Sequence, residues 1–277
     1  MRAFHTNSTL PFVSYLGRGR DNGEYFLEDF EILTTIMSAM YWRKYNGSIK
    51  MYTDVEGAEY YERLGITSIW DDGVDTAALA GAEEAINFHV FWTFGRVKAI
   101  ELEQAPIVAL DTDLIIWRNL REYIDSDLMM LHSEPLGLDV YLEQSELSTP
   151  KGYSWPELDW TVEPHNAGFM YFGNSELMRF YAETANELMR GNPIEKERVE
   201  TIPTHDVFAA QRLLPMCAKE LGTECGSLLR WYFSSGECET LRDGKTPNDL
   251  VTHVWAYKQV LKQQPARRRE FCLRSIS

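Results

Sequence analysis

Phe26, Phe30, Leu33, Met37 and Met40 recur at spacings of four and three, a helical stripe, and Gly47 stands where that helix would end. Residues 49–53 then read as a strand leading into Asp54. A short helix is expected over 60–64, closed by Gly65, and a further strand over 67–70. Residues 90–103 read as a helix and 107–110 as a strand. The unbroken apolar run Ile107-Val108-Ala109-Leu110 marks a strand covered on both faces. Residues 3–6, 128–131, 167–172 and 228–233 read as other strands. Ser175 is placed to cap a helix with Leu177, Tyr181, Ala185 and Leu188 on one face, and Gly191 and Pro193 lie beyond its end. Residues 204–221 are helical in pattern, with a break or kink expected at Pro215. Residues 137–160 have no period and many turn formers, which predicts a long functional loop, expected to border an acceptor.

Strands alternating with helices predict an α/β fold, a single Rossmann-like domain with a mainly parallel mixed sheet flanked by helices. Its expected span is residues 1–262, followed by a basic tail over 263–277 that carries Arg267-Arg268-Arg269. A length of 277 residues is enough for one large core without staples. Apolar residues at 44% and charged residues at 25% exclude a disordered or collagen-like chain. The net charge of −15 argues against nucleic acid as a partner, because phosphate neutralisation needs surplus Lys and Arg. Any phosphate must be held locally, by a metal or a few placed cations. The first residues lack the apolar core of a signal peptide, and no run of 18 apolar residues spans a membrane. Four cysteines without a C-x-x-C pair give no zinc signature. These features predict a cytoplasmic protein with at most peripheral membrane contact.

The chemistry concentrates where the apolar strand 107–110 ends, in Asp111-Thr112-Asp113. Ligands of open α/β sheets bind outside the carboxyl ends of strands. Two carboxylates there are costly unless a cation meets them. Hard oxygen ligands suit Mg²⁺ or Mn²⁺, which usually bind one or two carboxylates together with substrate phosphates.

This region, with Arg96 and Lys98 on the preceding helix, resembles the donor site of GT-A-fold glycosyltransferases. It is similar to family 8 and to bacterial polysaccharide-synthesis transferases. Later segments follow in the same order: His165-Asn166-Ala167-Gly168, then Thr204-His205-Asp206, then Thr252-His253 through Lys258. The late segment departs from family 8, which has a Gly between its His and Lys and a gap of six residues; here Ala256 intervenes and the gap is five.

The resemblance implies metal-dependent transfer of a sugar from a nucleotide-sugar donor, a UDP-sugar, to a saccharide or glycoconjugate acceptor, with retention favoured over inversion. It implies Asp113 and His253 as metal ligands, and Asp111 as a further ligand or as the holder of the donor ribose. Lys98 or Arg96 would meet the nucleotide phosphate or donor hydroxyls, and Lys258 the diphosphate; Asp54 would reach the nucleotide; Asn166 and Gly168 would face the donor sugar. Asp206 would be the acid near the anomeric carbon, or a helix-capping carboxylate. Trp92, Trp155, Trp160 and Trp255 offer stacking faces. Two other classes share parts of the pattern. Haloacid-dehalogenase-type phosphoryl transfer also uses D-x-D after an apolar strand, but wants Thr or Val where Ile115 stands. A non-catalytic nucleotide-sugar-binding protein would share every feature.

Overall fold

A computed structural model describes residues 1–10, 20–21, 24–80, 86–194, 204–229 and 250–276. Its strands in chain order are β1 (Arg2–Asn7), β2 (Arg20–Asp21), β3 (Glu24–Tyr25), β4 (Ile49–Thr53), β5 (Val74–Asp75), β6 (Ile107–Leu110), β7 (Leu114–Ile116), β8 (Leu128–Met130), β9 (Phe169–Phe172), β10 (Cys225–Ser227) and β11 (Val251–His253). The helices are α1 (Asp29–Tyr45), α2 (Val55–Arg63), α3 (Phe94–Leu102), α4 (Ser175–Met189), α5 (Thr204–Val207), α6 (Leu213–Glu220), α7 (Lys258–Gln263) and α8 (Pro265–Ile276).

Seven strands form one sheet in the order β10-β8-β9-β6-β1-β4-β5. Of these only β9 runs against its neighbours, antiparallel to β6 and β8. The expected α/β fold with a mainly parallel mixed sheet is therefore what the chain adopts. Strand side chains alternate between faces. Ile107 and Ala109 join Val97, Leu177, Tyr181 and Leu214 in one core cluster, while Val108 and Leu110 join Ala39, Trp42 and Met51 in another. Both faces of β6 are thus covered, as its unbroken apolar run demands.

Several local expectations are corrected. The buried face of α1 is Phe30, Thr34, Thr35, Ser38, Ala39 and Trp42, and Met40 is 53% exposed. Small hydroxyl residues replace the expected apolar stripe because their protons find carbonyls: Thr34 and Thr35 bond Glu31 O, and Ser38 bonds Leu114 O. Residues 67–69 form a 3₁₀ turn, not a strand. Asn174, not Ser175, caps α4, accepting from Glu176 N and Leu177 N. The helix before β6 begins at Phe94 rather than 90.

The break expected at Pro215 falls upstream, as a π-helical stretch Phe208–Arg212. Pro215 has no N–H to donate, and the carbonyl it would have met, Gln211 O, accepts His165 N–H at 2.9 Å instead. The late strand lies at Cys225–Ser227; residues 230–233 of the expected one fall outside the described residues. Within the expected basic tail, residues 265–276 form helix α8, which has no buried residue; Arg267 and Arg269 are exposed, and Arg268 bonds Asp29 at 2.6 Å and Glu28 at 2.8 Å. No described helix is long and apolar enough to cross a membrane.

Candidate active site

At the carboxyl end of β6 the chain turns through Asp111-Thr112-Asp113 into β7, which leaves the large sheet and pairs antiparallel with β11. Leu114 stands opposite His253 in that ladder, and Val254 N–H donates to Asp113 O at 3.0 Å. The two-stranded ladder is what returns the late His segment to the Asp pair.

A buried polar chain supports the turn from below. Trp70 Nε1–H donates to His5 Nδ1 at 3.1 Å, so the His5 proton sits on Nε2, 3.0 Å from Ser38 Oγ. Ser38 in turn donates to Leu114 O at 2.6 Å. Burial holds His5 neutral, with its pKa pushed down to about 3.

Asp111, Asp113 and His253 each offer one ligand atom, and these atoms lie within 4.8 Å of one another. His253 Nε2 is 3.7 Å from Asp111 Oδ2 and 3.6 Å from Asp113 Oδ1. The His253 ring is 3% exposed, yet neither of its nitrogens has a hydrogen-bond partner. Buried polar atoms are normally satisfied, so the orphaned Nε2 beside two carboxylates fits a cation held between them. The donor set of two carboxylate oxygens and one imidazole nitrogen could hold a divalent metal ion.

Charges inside the site balance without an ion. Arg96 Nη2 pairs with Asp111 Oδ1, while Arg96 Nη1 donates to Ala167 O at 2.8 Å. Lys258 Nζ is 2.8 Å from Asp113 Oδ2. Burial disfavours the ionised form of each carboxyl, but Arg96 and His253 outweigh it at Asp111, and Lys258 and His253 at Asp113. Both carboxyls therefore ionise below the ordinary range. Burial also opposes the charge on His253, and the two carboxylates more than offset it, so its pKa lies above the ordinary value.

The structure separates the other expected residues. Arg96, not Lys98, meets the Asp pair; Lys98 Nζ pairs with Glu101 at 2.9 Å on another face of α3. Asp54 follows β4 on the same sheet edge, but its carboxylate caps α2 through Gly57 N and accepts from Thr9 N at 2.6 Å. Gly168 lies against His253, where an added Cβ would meet His253 Cε1 at 2.7 Å. Asn166 Oδ1 accepts from Gly168 N at 3.0 Å. Asp206 is buried and accepts Thr93 N–H at 2.7 Å, at the amino end of the helix that carries Arg96. Trp155 and Trp160 pack on Phe208, with Trp160 stacked at 5.5 Å, so they anchor the long segment rather than present open faces. Trp255 is 50% exposed beside His253, and Trp92 is 39% exposed.

Glu134 went unremarked in the sequence. It lies four residues past the end of the apolar strand β8, whereas Asp111 directly follows β6, so the strand-end rule points to it less sharply. Its Oε2 accepts from the Tyr141 hydroxyl at 2.6 Å.

Residues 18–265 match the model of a family described as a family of unknown function, DUF6734. None of the curated proteins matches the chain. Among solved structures it is similar to mouse Xyloside xylosyltransferase 1, apo form, at 11% identity and a TM-score of 0.42, over 91% of this chain and 96% of that one. It is similar to the glycosyltransferase GlyE of Streptococcus pneumoniae TIGR4 at 15% identity and a TM-score of 0.39, over 91% of this chain and 54% of that one. A third similar structure is the galactosyltransferase LgtC in complex with donor and acceptor sugar analogs, at 12% identity and a TM-score of 0.35, over 76% of this chain and 71% of that one.

Proposed function

The chain belongs to the family of unknown function DUF6734, and we propose that it is a metal-dependent glycosyltransferase on a GT-A-like scaffold. It would move a sugar from a UDP-sugar to a saccharide or glycoconjugate acceptor, with retention at the anomeric carbon. The observation that carries the proposal is the convergence of Asp111 with the buried Asp113 and His253, the imidazole Nε2 having no hydrogen-bond partner.

In this reading Asp111, Asp113 and His253 hold Mn²⁺ or Mg²⁺. When bound, such an ion offsets negative charge on a departing nucleoside diphosphate. Among the described residues, Lys258 and Arg96 are cations beside the carboxylates, and they take the donor phosphates. Gly168 lets the donor approach the backbone next to His253. Asn166, which can both donate and accept, meets sugar hydroxyls. Asp206 serves as a positioning residue: its bond to Thr93 N–H fixes the start of α3 and hence where Arg96 reaches.

The test is a thermal-shift and calorimetric panel of UDP, GDP, ADP and their sugar conjugates, with and without Mn²⁺. A ligand that binds only the native state raises stability by RT ln(1 + [L]/Kd). At least one nucleotide should bind in a Mn²⁺-dependent manner, and Asp113→Ala should abolish that dependence with an unchanged circular dichroism spectrum. Intact Mn²⁺-dependent binding in the variant would remove the proposal.

A further inference from the structure

The sheet edge that carries the triad continues beyond it. Because β9 runs antiparallel between β6 and β8, its first residues lie level with the carboxyl ends of both neighbours. Backbone bonds lock that row: Asp111 N–H to Gly168 O at 2.9 Å, Leu131 N–H to Asn166 O at 3.1 Å and Asn166 N–H to His132 O at 2.9 Å. Asp111, Gly168, Asn166 and residues 132–134 are therefore neighbours along one line.

Gly168 is the residue of this line without a side chain. A Cβ there would stand 2.7 Å from His253 Cε1 and 3.1 Å from Asn166 Oδ1. The absent side chain makes room for the His253 ring, with the Asn166 amide on its other flank. Beyond Asn166 stands Glu134, whose Oε1 accepts from Asn166 Nδ2 at 3.4 Å. Its Oε2 is held by the buried Tyr141 hydroxyl at 2.6 Å, and Gln211 Oε1 lies 2.7 Å from that same hydroxyl. The Glu134 side chain keeps 16% of its surface exposed. An ionised carboxylate offers about four acceptor sites, and Tyr141 and Asn166 approach one oxygen each.

We propose that Glu134 is the hydroxyl-recognition carboxylate of this site. With Asn166 it binds a sugar ring beside the triad. The ligand chemistry is a pair of sugar hydroxyls, which donate to a charged acceptor more strongly than to a neutral one. Tyr141 is a positioning residue that orients Glu134 from the 137–160 segment, so that segment reaches the site through Tyr141 and not through its tryptophans. The assignment rests on the sugar-transfer reading above and adds which residue senses the sugar.

The experiment measures calorimetric affinities of the full chain for three probes. These are UDP with Mn²⁺; UDP-glucose, UDP-galactose, UDP-xylose and UDP-N-acetylglucosamine with Mn²⁺; and methyl glucoside, methyl galactoside and methyl xyloside in the presence of Mn²⁺ and UDP. Glu134→Gln should weaken a sugar-bearing probe about 10-fold, the scale of one hydrogen bond to a charged acceptor, and leave UDP with Mn²⁺ within about twofold. A loss confined to the nucleotide sugars names the donor sugar as the ligand, and one confined to the free glycosides names the acceptor. Glu134→Asp, which keeps the charge but draws it back by one methylene, should show the same selective loss. Tyr141→Phe should weaken the same probe by less. An equal loss on UDP itself, or no loss on any sugar, would overturn the assignment. If the wild-type chain binds no nucleotide with Mn²⁺, the sugar-transfer reading falls first.

Discussion

Lys258 sits on the carboxylate that a metal would need. Its Nζ is 2.8 Å from Asp113 Oδ2, with 32% of the Lys side chain and 6% of the Asp side chain exposed. At that separation and an effective dielectric near 20 the attraction is about 6 kcal/mol. Desolvation of both groups and ordering of the Lys side chain take back most of it, leaving about 1–2 kcal/mol. A divalent ion entering alone must displace that ammonium, whereas an ion entering with a diphosphate gives the ammonium a new anion. Lys258→Met should therefore act with opposite signs on two affinities. Mn²⁺ alone should bind roughly 5- to 30-fold more tightly, and UDP at saturating Mn²⁺ should bind more weakly by a similar factor. Lys258→Arg should stay close to wild type on both. Isothermal titration of MnCl₂, then of UDP into the Mn²⁺-loaded protein, reads the two effects separately. If both affinities fall together, Lys258 merely shapes the turn, and the exchange of partners is wrong.

Three further perturbations follow from the same geometry. Gly168→Ala should push the His253 ring aside, at a stability cost of about 1–3 kcal/mol, and weaken Mn²⁺ binding roughly tenfold; a titration curve that overlays the wild type would show that the ring has room. His253 holds its proton above the ordinary pKa because Asp111 and Asp113 outweigh burial, and a metal must expel that proton. Mn²⁺ affinity should thus fall as pH drops through the raised pKa, by up to about tenfold per pH unit, and His253→Gln should flatten the profile; an equally steep profile in the variant counts against the imidazole as ligand. His5 takes a proton near pH 6.5 when unfolded but only near 3 when folded, so the unfolded chain binds more protons between those values and stability falls as pH drops across that window. The loss is on the order of 3–5 kcal/mol in full. Urea melts at pH 7 and pH 4 should show His5→Asn less acid-sensitive than wild type, and parallel losses would contradict the buried neutral imidazole.

How far the sequence alone reached depended on how local each cause was. The strand Ile107–Leu110 and the carboxylates after it were legible because an apolar run covered on both faces and a costly acid pair are both statements about adjacent residues. The α/β class followed from alternation in the same way. The face of α1 was misjudged because Thr34, Thr35 and Ser38 are buried by hydroxyl bonds to carbonyls, one of them on β7, which hydropathy does not register. Arg96 and Lys98 lie two apart on one helix, so only one of them can face the Asp pair. Which one does is set by the packing of α3 on the sheet and the Asp206 contact at its start. His253 could be guessed from its position in a resemblance. Its placement opposite Leu114 is a matter of ladder register between distant segments, as is the row that sets Glu134 beyond Asn166 and Gly168. Residue order determined which groups could do chemistry at a strand end. Only the tertiary fold decided which of them share a site, because strand pairing and helix packing set distances that chain separation does not encode.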